Sequence, residues 1–234
     1  MIFIKRLEAA MKLYKLFSEC LSIPYLKVGV SANYAIKKEK EALYIFFEGS
    51  DGESDWKSNL DFPAKPYKRM GKTAWFAHRG FLEVWKEIEP MIAKEIKDLN
   101  IKRIITTGYS HGAAIAVLCH EYIWFNRHDL RENIEGYGFG CPRVLWGIKS
   151  EDIKRRWERF TVIRNIDDAV THLPPSLLGY FHVGKLLEIG KKGKYTPIEA
   201  HYEQNILKEL RLYESAKPFQ IIDRHQINNN LSGR

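Results

Sequence analysis

Residues 101–117, IKRIITTGYSHGAAIAV, join two apolar segments through the pentapeptide GYSHG at positions 108–112. The first segment is rich in isoleucine, which is typical of a buried strand, and the second is rich in alanine, which is typical of a helix packed closely on a sheet. The pentapeptide matches G-x-S-x-G, in which a serine lies at a sharp strand-to-helix turn. Glycine is favoured on both sides of Ser110 because side chains there would collide with the strained turn.

Strand and helix patterns alternate along the rest of the chain. Strands that alternate with helices are typical of a parallel sheet with crossover helices. The sequence therefore predicts an α/β fold with a mostly parallel central sheet and helices on both faces. The predicted strands are 42–47, 101–107, 137–140 and 160–165, with an outer strand or hairpin at 27–38 and a hairpin-like stretch at 181–189. The predicted helices are 4–21, 81–99 with a kink or restart at Pro90, 110–126, 149–159 and 200–213.

Length and composition favour one globular domain. The chain has 234 residues, of which 45% are hydrophobic and 28% charged, and no repeat or glycine/serine linker divides it. A chain of this length can bury one large core, and its composition excludes collagen, coiled-coil and disordered proteins. We expect a single domain over 1–234, with a helix and outer strand region at 1–40 and a frayed polar tail at 224–234.

The chain is basic, with 37 Lys and Arg residues against 29 Asp and Glu, and its formal net charge is +8. Such an excess favours anionic partners such as membrane surfaces. The bases lie in short clusters with acids between them, and no aromatic-basic motif accompanies them, which argues against a nucleic-acid partner. Peripheral contact with an anionic membrane is therefore one hypothesis, and the sequence leaves the oligomeric state open.

Patterns for cofactors and for export are absent from the sequence. No H-E-x-x-H, Cys/His cluster, P-loop or dinucleotide-binding pattern occurs, so we expect neither a metal nor another cofactor. The three cysteines, Cys20, Cys119 and Cys141, form no C-x-x-C pair, which favours buried, reduced thiols. Charges every few residues up to Glu19 interrupt any apolar leader, and the longest uncharged run, 104–120, is short for a membrane span. We expect a cytoplasmic protein, with signal-independent release left open.

The serine of the turn needs two partners to act as a nucleophile. A hydroxyl is weakly nucleophilic at neutral pH until a histidine accepts its proton and a carboxylate orients that histidine. In this type of turn the acid and then the histidine follow the serine along the chain. Asp167 and Asp168 both come directly after the predicted strand 160–165, at the rim where α/β sites form, so either fits the acid.

Among the later histidines, which include His225, His201 is the preferred base because it lies at the start of the last predicted helix. His111 follows the serine and points away from its hydroxyl. Its backbone N–H lies at a helix N-terminus, where it can donate to an oxyanion. The remaining candidates lie far from the rim or fit structural hydrogen bonding better: His120, His128, His172 and His182.

Several motifs in a shared order resemble the class 3 lipases, the α/β hydrolases related to fungal triacylglycerol lipases. The resemblance covers about residues 44–210 and implies an α/β-hydrolase fold. Each motif is weakly specific, whereas the order of the motifs is highly specific. The motifs are FFEGS at 46–50 with SDWKSN at 54–59, HRGF at 78–81, the turn at 107–112, FGCPRV at 139–144, and DAVTHLPP at 168–175 with GYFHVG at 179–184.

Carried over residue by residue, the resemblance implies that Ser110 is the nucleophile, that Asp168 rather than Asp167 is the acid, and that His201 is the base. It also implies an oxyanion hole formed by the backbone amides of Ser50 and His111, with assistance from the Ser50 hydroxyl.

The sequence departs from the family pattern in two places. The turn has Tyr109 and His111 where the family usually shows His and Leu, and the residues around His201 fit the family's terminal histidine block loosely. The segment 51–66 matches the family's lid region. In it, Trp56 is a candidate substrate-binding residue, with a core or hinge role as the alternative.

The sequence thus predicts a serine hydrolase that cleaves carboxylic esters, with acyl lipid or glyceride esters as substrates, through an acyl-enzyme on Ser110. A phospholipase, a thioesterase or an acyltransferase could use the same triad. A catalytically silent membrane-binding protein with a hydrolase fold is the alternative from a different class.

Overall fold

A computed structural model describes residues 2–28, 32–49, 63–69 and 72–215 of the chain. The predicted frayed tail at 224–234 lies outside these residues. The helices are α1 (Ile2–Ser22), α2 (Arg79–Glu95), α3 (His111–Asn126), α4 (Glu151–Arg156) and α5 (Glu203–Ser215). The strands are β1 (Leu26–Val28), β2 (Ala32–Glu39), β3 (Ala42–Phe47), β4 (Ala64–Arg69), β5 (Lys72–His78), β6 (Arg103–Tyr109), β7 (Ile134–Phe139), β8 (Leu145–Trp146), β9 (Phe160–Asn165), β10 (Tyr180–Phe181) and β11 (Lys185–Ile189).

The main sheet has the order β1-β2-β3-β6-β7-β9-β11. Strands β3, β6, β7, β9 and β11 run parallel, and β1 and β2 add an antiparallel edge. The central strands β3 and β6 are largely buried on both faces, because helices cover both faces of the sheet. The predicted α/β class with a mostly parallel sheet is therefore confirmed.

The core consists of two layers, one on each face of the main sheet. Neighbouring residues of β6 show the division, since Ile104 packs into one layer with residues of α2 and α3, and Ile105 packs into the other with residues of α1 and α5. Within the described ranges, no helix is both long enough and apolar enough to cross a bilayer.

A second sheet, absent from the sequence prediction, is antiparallel and has the order β10-β8-β5-β4. Its presence makes the predicted hairpin at 181–189 wrong, because β10 pairs with β8 in the second sheet whereas β11 pairs in parallel with β9 in the main sheet. The chain passes between the two sheets at Gly184, which has φ +66° and where a Cβ would lie 2.1 Å from the Phe160 carbonyl oxygen.

Three helix predictions also need correction. Helix α4 covers only Glu151–Arg156 of the predicted 149–159. Helix α2 ends at Glu95 rather than at 99 and continues through Pro90 without a restart. Pro90 is exposed, so water can bond the carbonyl that loses its helical partner. Helix α5 begins at Glu203, because Glu199–His201 forms a separate 3₁₀ turn.

Candidate active site

The turn between β6 and α3 holds Ser110 in a conformation that few L-residues adopt, with φ 53° and ψ −119°. A Cβ at Gly108 would lie 2.3 Å from the Gly112 carbonyl oxygen, and a Cβ at Gly112 would lie 2.2 Å from the carbonyl oxygen of Phe47 in β3. The first clash is within the turn, as expected from the sequence. The second is with the neighbouring strand, so Gly112 is needed to let the start of α3 approach the sheet.

The structure brings together the three residues that the sequence analysis selected. The Nε2 atom of His201 lies 3.0 Å from Ser110 Oγ, and Nδ1 lies 2.9 Å from Asp168 Oδ2. All three residues are buried, and Asp168 is completely inaccessible. The arrangement has the geometry of a Ser-His-Asp triad. The imidazole can exchange a proton with the hydroxyl, and the carboxylate fixes the tautomer of the imidazole.

The two adjacent aspartates have different partners. Asp168 accepts a hydrogen bond from the Val170 backbone N–H at 2.9 Å through its other oxygen, which orients the carboxylate toward His201. Asp167 instead accepts from the backbone N–H groups of Gly193 and Lys194, at 3.0 and 3.1 Å. These hydrogen bonds hold the pKa of Asp167 below its usual value, and the bond from Gly193 has the largest effect. Asp167 therefore anchors the loop after β11 and does not touch the imidazole.

The backbone around His201 is tied to the loop that carries Asp168. The N–H of Ala169 donates to the Pro197 carbonyl at 3.1 Å, and Asn165 Nδ2 donates to the Ala200 carbonyl at 3.0 Å. Gly140 leaves room for the ring, because a Cβ there would lie 2.8 Å from His201 Cε1. Sequence reasoning missed Asn165 and assigned no role to Gly140, although the FGCPRV motif contains it.

The predicted oxyanion groups are only partly within the described residues. His111 is the first residue of α3, so its N–H lies at the helix N-terminus directly after Ser110. The centroid of the His111 ring lies 5.5 Å from the centroid of the Phe81 ring. Ser50 and Trp56 lie outside the described residues, so the predicted roles of both remain predictions.

Two other histidines, His182, which is half-buried, and His120, which is fully buried, serve the structure. His182 donates through Nε2 to the Thr171 carbonyl at 2.7 Å, and burial lowers its pKa to about 4. His120 packs edge-to-face against Phe160, and burial lowers its pKa to about 3. Both are neutral at pH 7. Across the described ranges, no group of three or more His, Cys, Asp or Glu residues is arranged to hold a metal ion.

Comparison with known proteins gives the same family as the motifs. The family model for class 3 lipases matches residues 44–178. The chain belongs to the class 3 lipase family. It is 28% identical over 151 residues to a lipase of Rhizomucor miehei, a match that covers 62% of this chain and 41% of the relative. It is 26% identical over 165 residues to secreted mono- and diacylglycerol lipase 1 of Fusarium solani, covering 69% of this chain and 48% of the relative.

A solved structure shows the same fold in this family. It belongs to a triacylglycerol lipase whose catalytic centre is formed by a serine protease triad. The two chains superpose with a TM-score of 0.60 at 24% identity, over 72% of this chain and 66% of the other. The class 3 lipase chain described here thus has the predicted α/β-hydrolase fold, and its sequence match spans less than half the length of each of the two relatives above.

The expected cytoplasmic location is wrong for this class 3 lipase, because the Fusarium solani relative is named a secreted lipase. The expectation rested on charged residues near the start of the sequence. These residues lie in α1, which packs Leu13, Leu16 and Phe17 into the core. Charges at Lys12, Lys15 and Glu19 therefore belong to the polar face of an amphipathic helix and do not indicate a cellular compartment.

Proposed function

We propose that this class 3 lipase is a serine hydrolase that cleaves carboxylic esters, with acyl lipid or glyceride esters as its substrates. The observation that carries the proposal is the continuous hydrogen-bonded path from Ser110 Oγ through His201 to Asp168. The relatives named as mono- and diacylglycerol lipases favour glycerides over phospholipids, thioesters and acyl transfer.

In the first half of the reaction, His201 Nε2 accepts the Ser110 proton while Oγ attacks the ester carbonyl. The carbonyl oxygen becomes an oxyanion, to which the His111 N–H at the start of α3 donates. The Ser50 amide is the second donor that the family resemblance implies. Collapse of this intermediate breaks the bond to the alcohol, and His201 gives its proton to the departing oxygen.

In the second half, water hydrolyses the acyl-enzyme. His201 takes a proton from the water, the resulting hydroxide attacks the acyl carbonyl, and Ser110 leaves and recovers the proton. Asp168 keeps Nδ1–H directed at its own carboxylate throughout, so Nε2 stays available to the reacting oxygens.

The proposal is tested with Ser110→Ala, p-nitrophenyl esters and a fluorophosphonate probe. We expect the wild-type chain to hydrolyse the ester and to be labelled on the peptide that contains Ser110, and the variant to lose about 10⁴-fold or more of kcat without labelling. Ser176→Ala, in an exposed loop on the same side of the sheet, is the matched control and should keep full activity. Full activity of Ser110→Ala, or an unlabelled wild type, would contradict the assignment.

A panel of head groups and chain lengths then separates glyceride hydrolysis from phospholipase, thioesterase and acyltransferase activity.

We also propose that the edge of the sheet that carries the site makes peripheral contact with an anionic lipid surface. Exposed apolar side chains lie at the end of β8 and in the loops that follow β8, β9 and β11: Trp146, Ile148, Leu177, Leu178 and Ile198. Exposed lysines lie in the same loops, at Lys149, Lys191 and Lys192. An apolar surface bordered by lysines is complementary to a bilayer that contains anionic lipid.

A further inference from the structure

The proposed base is held by an unusually short element. His201 is the last residue of the three-residue 3₁₀ turn Glu199–His201, between β11 and α5. Such a turn supplies few backbone hydrogen bonds of its own. A ring that must stay within hydrogen-bond reach of two partners therefore needs support from other parts of the chain.

That support comes from two side chains that donate to consecutive carbonyl groups of the turn. Asn165 Nδ2 donates to the Ala200 carbonyl at 3.0 Å, and Tyr109 Oη–H donates to the His201 carbonyl at 2.7 Å. Tyr109 is the last residue of β6, immediately before Ser110, and Asn165 is the last residue of β9, three residues before Asp168. The backbone of the base is thus attached to the strand ends that carry its two partners.

The Tyr109 ring makes a second contact with the base. It stacks on the His201 imidazole with a centroid distance of 5.1 Å and an interplanar angle of 24°. Its own position is fixed by the edge of Phe17, 5.7 Å away, and by the backbone at Gly49, where a Cβ would lie 3.0 Å from Tyr109 Cδ1. Burial raises the pKa of Tyr109 far above its usual value, so the hydroxyl keeps its proton and remains a donor.

We propose that Tyr109, together with Asn165, is a positioning residue that holds His201 Nε2 within hydrogen-bond distance of Ser110 Oγ. The inference rests on the proposed function, because positioning has a kinetic consequence only if Ser110 is the nucleophile. Tyr109 is one of the residues at which this sequence departs from the usual family turn, so the contact with His201 depends on this chain's own side chain.

The test is Tyr109→Phe, which keeps the stacked ring and removes the hydroxyl. We expect kcat on a soluble p-nitrophenyl ester to fall about tenfold with KM within twofold, because the substrate pocket is unchanged while the base spends less time in the reactive position. The rate of fluorophosphonate labelling should fall in parallel with kcat.

Tyr25→Phe is the matched control. The Tyr25 hydroxyl also donates to a backbone carbonyl, that of Cys20 at 2.6 Å, at the end of α1. Both variants lose the same kind of hydrogen bond, so they should lower Tm by similar amounts. Only Tyr109→Phe should change kcat when activity is measured well below both Tm values.

Equal kcat for Tyr109→Phe and wild type, or an equal loss in Tyr25→Phe, would overturn the inference. If Tyr109→Phe does not fold, Asn165→Ser tests the other half of the support, with the same expected fall in kcat at constant KM. An inactive and unlabelled wild type would instead refute the proposed function, so the two failures are distinguishable.

Discussion

At the scale of single residues, the two adjacent aspartates have different roles although they are neighbours in the sequence. One is a site residue and the other anchors a loop. Both follow β9, and the residues alone do not distinguish them. In the structure, Asp168 faces the imidazole and Asp167 faces the backbone of the loop at 193–194. The chain turns directly after β9, where the Asp168 N–H donates to the Asn165 carbonyl at 2.9 Å. The two side chains therefore face different partners, and only the position of His201 decides between them.

Replacement of each aspartate by asparagine tests this division. We expect Asp168→Asn to lower kcat by about 10³–10⁴-fold, because an amide no longer holds the required imidazole tautomer. Asp167→Asn should leave kcat within a few-fold of wild type and lower only Tm. Steady-state kinetics on a soluble ester, with circular dichroism to verify folding, measure both. A larger kinetic loss in Asp167→Asn would contradict the assignment of Asp168 as the acid.

The residues that sequence reasoning found and those it missed differ in how their role is encoded. Ser110 lies in a local motif, and chain order narrows the search for His201. Tyr109 and Asn165 act on backbone carbonyls 92 and 35 residues further along the chain. The spacing of residues along the chain does not indicate such a contact. Every polar residue at a strand end shows the same sequence pattern, and its partner is known only once the facing loop is placed.

At the scale of elements, buried parallel strands were predictable and short edge strands were not. Strand β3 has the predicted bounds 42–47, since an apolar run enclosed by two helical layers is visible in the sequence. Strands β8 and β10 contain two residues each, too few for any periodic pattern. Strands β10 and β11 overlap the predicted hairpin-like stretch 181–189, and only their partner strands show that they belong to different sheets.

A half-buried histidine closes the loop between β9 and β10, and this predicts a dependence of stability on pH. His182 donates to the Thr171 carbonyl, and burial lowers its pKa from 6.5 to about 4. Between these two pH values the unfolded chain binds a proton that the folded chain does not, so stability is complete above about pH 6.5 and falls as the pH drops to about 4. His182→Gln removes this contribution. As the pH decreases, we expect the unfolding free energy of His182→Gln to fall less steeply than that of the wild type. The two slopes should differ by up to about 1.4 kcal/mol per pH unit.

Chemical denaturation of both proteins between about pH 7 and about pH 4 measures the two slopes. His120 is buried in both proteins, with a pKa of about 3, and contributes the same background to each. Parallel slopes would show that the titration of His182 does not contribute to acid unfolding.

At the scale of the whole molecule, the site depends on both core layers and on one edge of the main sheet. Parallel strands end at this edge, so the loops after β6, β9 and β11 deliver Ser110, Asp168 and His201 to one place. The loops after β8 and β9 also carry apolar side chains that the core does not use, including Ile148 and Leu177, which are 85% and 98% exposed. A lipid surface that covered Leu177 would therefore contact the same loop that carries Asp168.

This arrangement predicts how the protein binds vesicles. We expect the wild-type chain to sediment with vesicles that contain anionic lipid, and the double variant Ile148→Ser/Leu177→Ser to bind at least about tenfold more weakly, because burial of each side chain contributes about 1.5–3 kcal/mol. Leu99→Ser/Leu212→Ser is the control, since Leu99 is 74% exposed before the start of β6 and Leu212 is 48% exposed near the end of α5. Salt should also release the wild type from anionic vesicles, because the net charge of +8 is screened within about 10 Å at 0.1 M. Hydrolysis of a short soluble ester should be the same in all three proteins.

Equal vesicle binding by the two double variants would contradict the proposed surface. A change of oligomeric state in Ile148→Ser/Leu177→Ser would show instead that a second copy of the chain covers this surface.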